Sequence, residues 1–164
     1  MRVSVFNSGV SIVGSLAKYI YDDNTYSLNK ETTKDAIKSL SDNLCFNVDE
    51  ASIPELEFGT NFLVREPVYK YLSLLSEAPY MERLKLSSNS LYYHSKGKTR
   101  GTEGKYNKVI QFYDKNIETK NRGGKIPEIY KGQNVLRYEM RFNSRLPTQF
   151  KENTVKAYTL YERK

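Results

Sequence analysis

The stretch NVLRYEMRF at 134–142 decides how this chain is read, together with VIQFYDKNIE at 109–118. In the first, Leu136, Tyr138, Met140 and Phe142 share one side of an extended chain, and Arg137, Glu139 and Arg141 share the other. That alternation predicts a β-strand between an apolar layer and a charged one. In the second, Asp114 closes a β-rich run and Glu118 follows one helical turn later. A carboxylate between two arginines admits two interpretations. It can be a salt-bridged surface residue, which spacing alone favours. It can also serve phosphodiester chemistry, where carboxylates hold a divalent cation and arginines hold phosphates.

Working outward, RVSVF at 2–6 and VSIVG at 10–14 predict a β-hairpin turning at Asn7-Ser8-Gly9. A helix is expected from Thr32, with Thr32 and Asp35 as its capping box and Ala36, Ile37, Leu40 and Leu44 as its apolar stripe. From Ile53 to Val64 the pattern alternates again: Leu56, Phe58 and Phe62 face one way, Glu55, Glu57, Gly59 and Asn61 the other. Pro67 is expected to open a second helix in its first turn, with Val68, Tyr71, Leu72 and Leu75 on one face and Pro79 as its stop. Strands follow near 81–86, 90–94 and 107–114, and a last helix is expected to begin at Pro147. The order of elements is α+β: a mostly antiparallel β-sheet of five or more strands with helices packed on one face.

Composition narrows the function. The 164 residues suit one domain, and the lone Cys45 excludes an internal disulfide framework or a cysteine-based zinc site. No run approaches the roughly 18–20 apolar residues of a membrane span. The N-terminal stretch MRVSVFNSGVSIVG does not read as a signal peptide, so the expected compartment is the cytoplasm. The net charge of +7 is unevenly placed: residues 1–94 carry nine Lys/Arg against twelve Asp/Glu, and residues 95–164 carry seventeen against seven. The basic excess therefore sits with the two opening stretches, an electrostatic footprint for a polyanion or, more plainly, a solvated basic surface. It is concentrated in the loops 95–108 and 119–133, which hold Lys96, Lys98, Arg100, Lys105, Lys108, Arg122 and Lys125.

His94, the single histidine, falls on the Ser90/Tyr92 side of its strand; it reads as a polar surface residue, with a ligand or proton-transfer role as the alternative. Tyr158 and Tyr161, three residues apart on the expected last helix, read as packing aromatics or as a nucleophile pair. No P-loop, Rossmann fingerprint or nucleophile elbow is present.

FYDKNIE followed by LRYEMRF resembles the replication initiation proteins of filamentous phages and related rolling-circle plasmids, where a Y-D-K-x-x-E segment precedes an R-x-E-x-R strand. GSLAKYIYDDN at 14–24, LSDNL at 40–44, LEFGTNF at 56–62 and SLYYHSKG at 90–97 extend the resemblance across nearly the whole chain. It implies a single initiator-like domain over 1–164 that lacks N- and C-terminal parts of the full family domain. It also implies a site-specific DNA-nicking enzyme whose tyrosine becomes linked to the 5′ phosphate at a single-stranded or hairpin origin, with Mg²⁺ or Mn²⁺ as cofactor. Carried over by motif, Asp114, Glu118 and Glu139 match the acidic positions, and Glu57 stands where relatives often have aspartate. With His94, these are the expected metal ligands. Lys115, Arg137 and Arg141 match the basic, phosphate-binding positions. Tyr161 is the first choice of nucleophile and Tyr158 the second, from their place after the R-x-E-x-R strand. The alternative function is a non-catalytic DNA-binding module that recognises an origin through its basic loops.

Overall fold

A computed structural model describes residues 1–95, 107–143, 146–151 and 153–162. Contacts divide the chain, within the single domain that its length suggests, into two compact units: Met1–Ile53 with Thr154–Lys164, and Pro54–Asn153. Along the first segment run β1 (Arg2–Phe6), β2 (Gly9–Val13), α1 (Leu16–Tyr21) and α2 (Lys30–Leu44). The second unit holds β3 (Leu56–Val64), α3 (Val68–Leu74), β4 (Met81–Leu86), β5 (Ser90–Ser95), β6 (Lys108–Asp114), α4 (Lys115–Asn121), β7 (Asn134–Phe142) and α5 (Leu146–Phe150). The chain then returns to the first unit and ends its described part in α6 (Thr159–Glu162).

In the first unit β1 and β2 pair antiparallel, with Phe6 opposite Gly9 and Asn7-Ser8 forming the turn. Gly9 sits at φ 152°, where a side chain is disfavoured. The helix α2 begins two residues before the expected Thr32. Asn29 is the N-cap: its Oδ1 accepts from Thr32 N at 2.8 Å, and Thr32 Oγ1 accepts from Asn29 N at 2.8 Å. Thr32 thus closes the capping box from inside, a position usually held by Glu or Gln, and Asp35 has no part in it. The expected stripe is the buried face: Ala36, Ile37 and Leu40 are buried, and Ile37 and Leu40 cluster with Val48 and Ala157. The returning segment is stitched in by backbone bonds, Ile53 N to Val155 O at 2.8 Å and Ala157 N to Ala51 O at 3.0 Å.

The second unit is built on a five-stranded antiparallel sheet in the order β3-β7-β6-β5-β4, with helix cover on one side; the α+β class follows. Alternation in each strand sorts the faces. One face carries Phe58, Leu136, Tyr138, Ile110, Phe112, Leu91 and Tyr93, and α3 lays Val68 and Leu72 on its centre. The other face carries Glu57, Gly59, Asn61, Arg137, Glu139, Arg141, Gln111, Tyr113, Tyr92 and His94.

Three further boundaries differ from expectation. Pro67 is the N-cap of α3 and not its first turn, and α3 stops at Leu74, well before Pro79. Leu75 leaves the helix in an extended conformation because it and Ala78 pack on the cluster beneath. The expected last helix is two: Lys151, at φ 56°, ends α5, so Tyr161 belongs to the separate α6 and Tyr158 lies in the turn just before it. No described helix is long and apolar enough to cross a membrane.

Neighbouring leucines on α3 give a direct check, since Leu72 is 1% exposed and Leu74 80%. Leu72→Ala should cost about 2–5 kcal/mol of unfolding free energy in urea titration, and Leu74→Ala within about 0.5 kcal/mol of zero.

Candidate functional site

The site is set by the pairing of β7 with both neighbours. Across β7 and β6, Tyr113 faces Arg137, Gln111 faces Glu139 and Val109 faces Arg141. Across β7 and β3, Asn61 faces Arg137, Gly59 faces Glu139 and Glu57 faces Arg141. Cross-strand neighbours on one face lie within side-chain reach, so this register places a carboxylate in a ring of donors.

Glu139 is 4% exposed. Its Oε1 accepts from Arg137 Nε at 2.7 Å and from the Tyr113 hydroxyl at 2.8 Å; its Oε2 accepts from Arg141 Nη2 at 3.1 Å. Arg137 Nη1 donates onward to Asn61 Oδ1 at 3.0 Å, and Arg141 also ion-pairs with Glu57. Burial pushes the Glu139 carboxyl up, but hydrogen bonds from Arg137 and Tyr113 and the charges of Arg137 and Arg141 outweigh it, and the group lies below the usual carboxylate range. Burial, then the charge of Glu139 and its hydrogen bond, push the Tyr113 phenol far above the ordinary tyrosine range, so Tyr113 is a fixed neutral donor. Arg141 loses some basicity to burial and regains more from Glu57 and Glu139.

Gly59 makes room for this ring. A Cβ there would lie 2.5 Å from Tyr138 O and 2.9 Å from Glu139 Cγ, closer than packed atoms allow.

The other expected site residues are placed as follows. Asp114 turns its carboxylate to cap α4, accepting from Ile117 N at 3.0 Å. Glu118 pairs with Lys115 at 2.8 Å and with Arg122 at 2.6 Å; Lys115 itself is buried. The carboxylate that meets Glu139 at one guanidinium, that of Arg141, is Glu57, while Asp114 and Glu118 are engaged on α4. Among the described residues no group of three or more His, Cys, Asp or Glu gathers as a metal-holding cluster. His94 is buried, not on the surface as its spacing suggested: β5 lies between β4 and β6, and the ring sits with Nε2 3.9 Å from Glu82 and Nδ1 3.1 Å from Ser95 O. Lys108 lies at the start of β6, and Arg122 and Lys125 follow α4. Lys96, Lys98, Arg100 and Lys105 lie outside the described residues. Tyr113 and Gln111 were not singled out from sequence, although the two-residue period of β6 puts them on the charged face, and Gly59 was placed on that face without a role.

Tyr158 and Tyr161 belong to the first unit. The Tyr161 hydroxyl donates to Asp49 Oδ1 at 2.7 Å, and its ring lies 5.8 Å from Lys34 Nζ. That hydrogen bond, with some burial and the Asp49 charge, pushes the phenol up to about 12. The Tyr158 backbone N donates to Asp49 O at 3.2 Å, so one short segment anchors both tyrosines.

A family model for the N-terminal part of a phage replication-associated protein matches residues 3–161. The chain belongs to this family, and so to the replication initiators of the filamentous-phage type. No curated protein and no solved structure matches it.

Two measurements check the geometry. Gly59→Ala should destabilise the fold by about 1–3 kcal/mol in urea unfolding, since its Cβ meets backbone and the Glu139 side chain at once. For Tyr161 a folded-state value near 12 lies above the unfolded value of about 10. Stability from this group is therefore present below pH ~10 and lost as pH rises toward 12. In ¹³Cζ-tyrosine NMR titration, Asp49→Asn should bring the Tyr161 midpoint back toward the ordinary value; an unchanged midpoint would contradict the assigned bond.

Proposed function

We propose that the chain initiates rolling-circle replication by nicking one DNA strand in the cytoplasm, with a tyrosine as nucleophile and a divalent cation as cofactor. The observation that carries this is the meeting of Glu57 and Glu139, on adjacent strands, at one guanidinium beside a second arginine, in a chain of a replication-initiator family. Where Arg141 now balances two carboxylates, the donor set suits Mg²⁺ or Mn²⁺, hard cations that take one or two carboxylates and fill the remaining positions with water and substrate phosphate. Glu57 and Glu139 would hold the ion; bound, it would polarise the scissile phosphate and offset its charge. Arg137 and Arg141 supply guanidinium forks suited to phosphate oxygens, and Lys108, Arg122 and Lys125 add backbone affinity.

In the step itself the tyrosine hydroxyl gives up its proton as its oxygen bonds to phosphorus, the bond from phosphorus to the 3′ oxygen breaks, and that oxygen takes up a proton from water and leaves as a 3′ hydroxyl that primes synthesis. Tyr161 is the preferred nucleophile because Asp49 already holds its hydroxyl and is placed to take the proton. Tyr158 is the second choice.

One observation favours a second reading, DNA binding without cleavage: the Asp49 bond raises the Tyr161 phenol to about 12, which disfavours the phenolate. A nicking assay separates the two. With a supercoiled plasmid carrying the origin of its replicon and Mn²⁺, the protein should yield a nicked circle with covalently attached protein. Glu139→Gln and Tyr161→Phe should each lower the yield by at least about 100-fold. An adduct that survives Tyr161→Phe moves the nucleophile to Tyr158. Salt-sensitive binding with no adduct from any variant establishes the second reading.

A further inference from the structure

Building on the metal-holding role of Glu139, we infer that Tyr113 is a positioning residue that fixes one oxygen of Glu139 so that the other faces Glu57. The two carboxylate oxygens have different surroundings. Oε1 accepts from two buried donors, the Tyr113 hydroxyl at 2.8 Å and Arg137 Nε at 2.7 Å. Oε2 accepts only the longer bond from Arg141, at 3.1 Å, among the described residues. The side chain of Arg141 is 39% exposed and divides its charge between Glu139 and Glu57, itself 49% exposed. The inner oxygen is thus held from within the sheet, and the outer one is held by a group that can swing into solvent.

This asymmetry separates structural from working contacts. A carboxylate with a free χ3 would present either oxygen and exchange between them. Two fixed donors on Oε1 remove that freedom, so a cation entering between Glu139 and Glu57 meets an oriented oxygen, and Arg141 is released toward phosphate. The pairing of β6 with β7 supplies the geometry, since Tyr113 stands directly opposite Arg137 and reaches Glu139 Oε1 diagonally across the strands, while Arg137 reaches the same oxygen along its own strand. Tyr113 is not itself a nucleophile, because its hydroxyl is buried and already donates to Glu139 Oε1.

The test is calorimetric titration of the full chain with Mn²⁺ alone. Tyr113→Phe keeps the ring and removes only the donor; it should weaken Mn²⁺ binding about 10–100-fold, the range seen when partners behind a metal ligand are lost. Metal-free DNA binding, measured in EDTA, should stay within about twofold, a split that simple loss of packing would not produce. Tyr92→Phe, which removes a hydroxyl that accepts from Gln111 on the same face, should leave Mn²⁺ affinity unchanged. Should Tyr113→Phe fail to fold, Arg137→Lys removes the other Oε1 donor and must weaken Mn²⁺ in the same way. Wild-type Mn²⁺ affinity in the folded variant overturns the inference. A wild-type protein whose Mn²⁺ titration matches that of Glu139→Gln overturns instead the metal reading beneath it.

Discussion

The buried carboxylate of Glu139 is the constraint around which the second unit is organised. A charge taken out of water costs several kcal/mol unless partners surround it, and here two guanidinium groups and a phenol do so. Those partners come from two strands, and Asn61 and Glu57 on a third hold the arginines in turn. The register of β3, β7 and β6 is therefore specified twice. Apolar residues fix it on the side of α3, and the ion network fixes it on the other. A slip of one residue would send Glu139 into the apolar layer and Tyr138 into the charged one. Gly59 belongs to the same constraint, since the strand facing Glu139 must carry no side chain there.

The first unit follows a different logic. Its core is the stripe of one long helix, closed by a segment more than a hundred residues later in the chain. The family match runs from residue 3 to residue 161 and so takes in that return. The return brings Tyr161 to Asp49 across 112 residues of sequence, a contact that no local pattern announces. It gives a phenol a carboxylate neighbour, which raises its pKa.

Much of the fold was legible in the chain because period is a local property. The alternation of 134–142, the stripe of α2 and the turn at Asn7-Ser8 all appear where period and turn chemistry put them. Boundaries were less legible. The start of α2 depended on whether Asn29 or Thr32 used its side chain as the cap. The end of α3 was set by Leu75 and Ala78 finding a core, not by Pro79. The break at Lys151 rests on a left-handed backbone conformation that a lysine does not advertise.

For the candidate site the division is sharper. Sequence by itself determined that Arg137, Glu139 and Arg141 share one strand face, within the basic part of the chain, and that Glu57 and Asn61 share another, because side-chain direction in a strand depends only on parity. Only the tertiary structure decided which faces meet. Strand order and register are set by long-range burial, and they brought Glu57 to Arg141, Tyr113 to Glu139 and Gly59 to the gap between, while Asp114 and Glu118 were drawn to the start of a helix. Glu139 is buried because its strand lies between two others, and a one-dimensional pattern of charges carries no measure of depth.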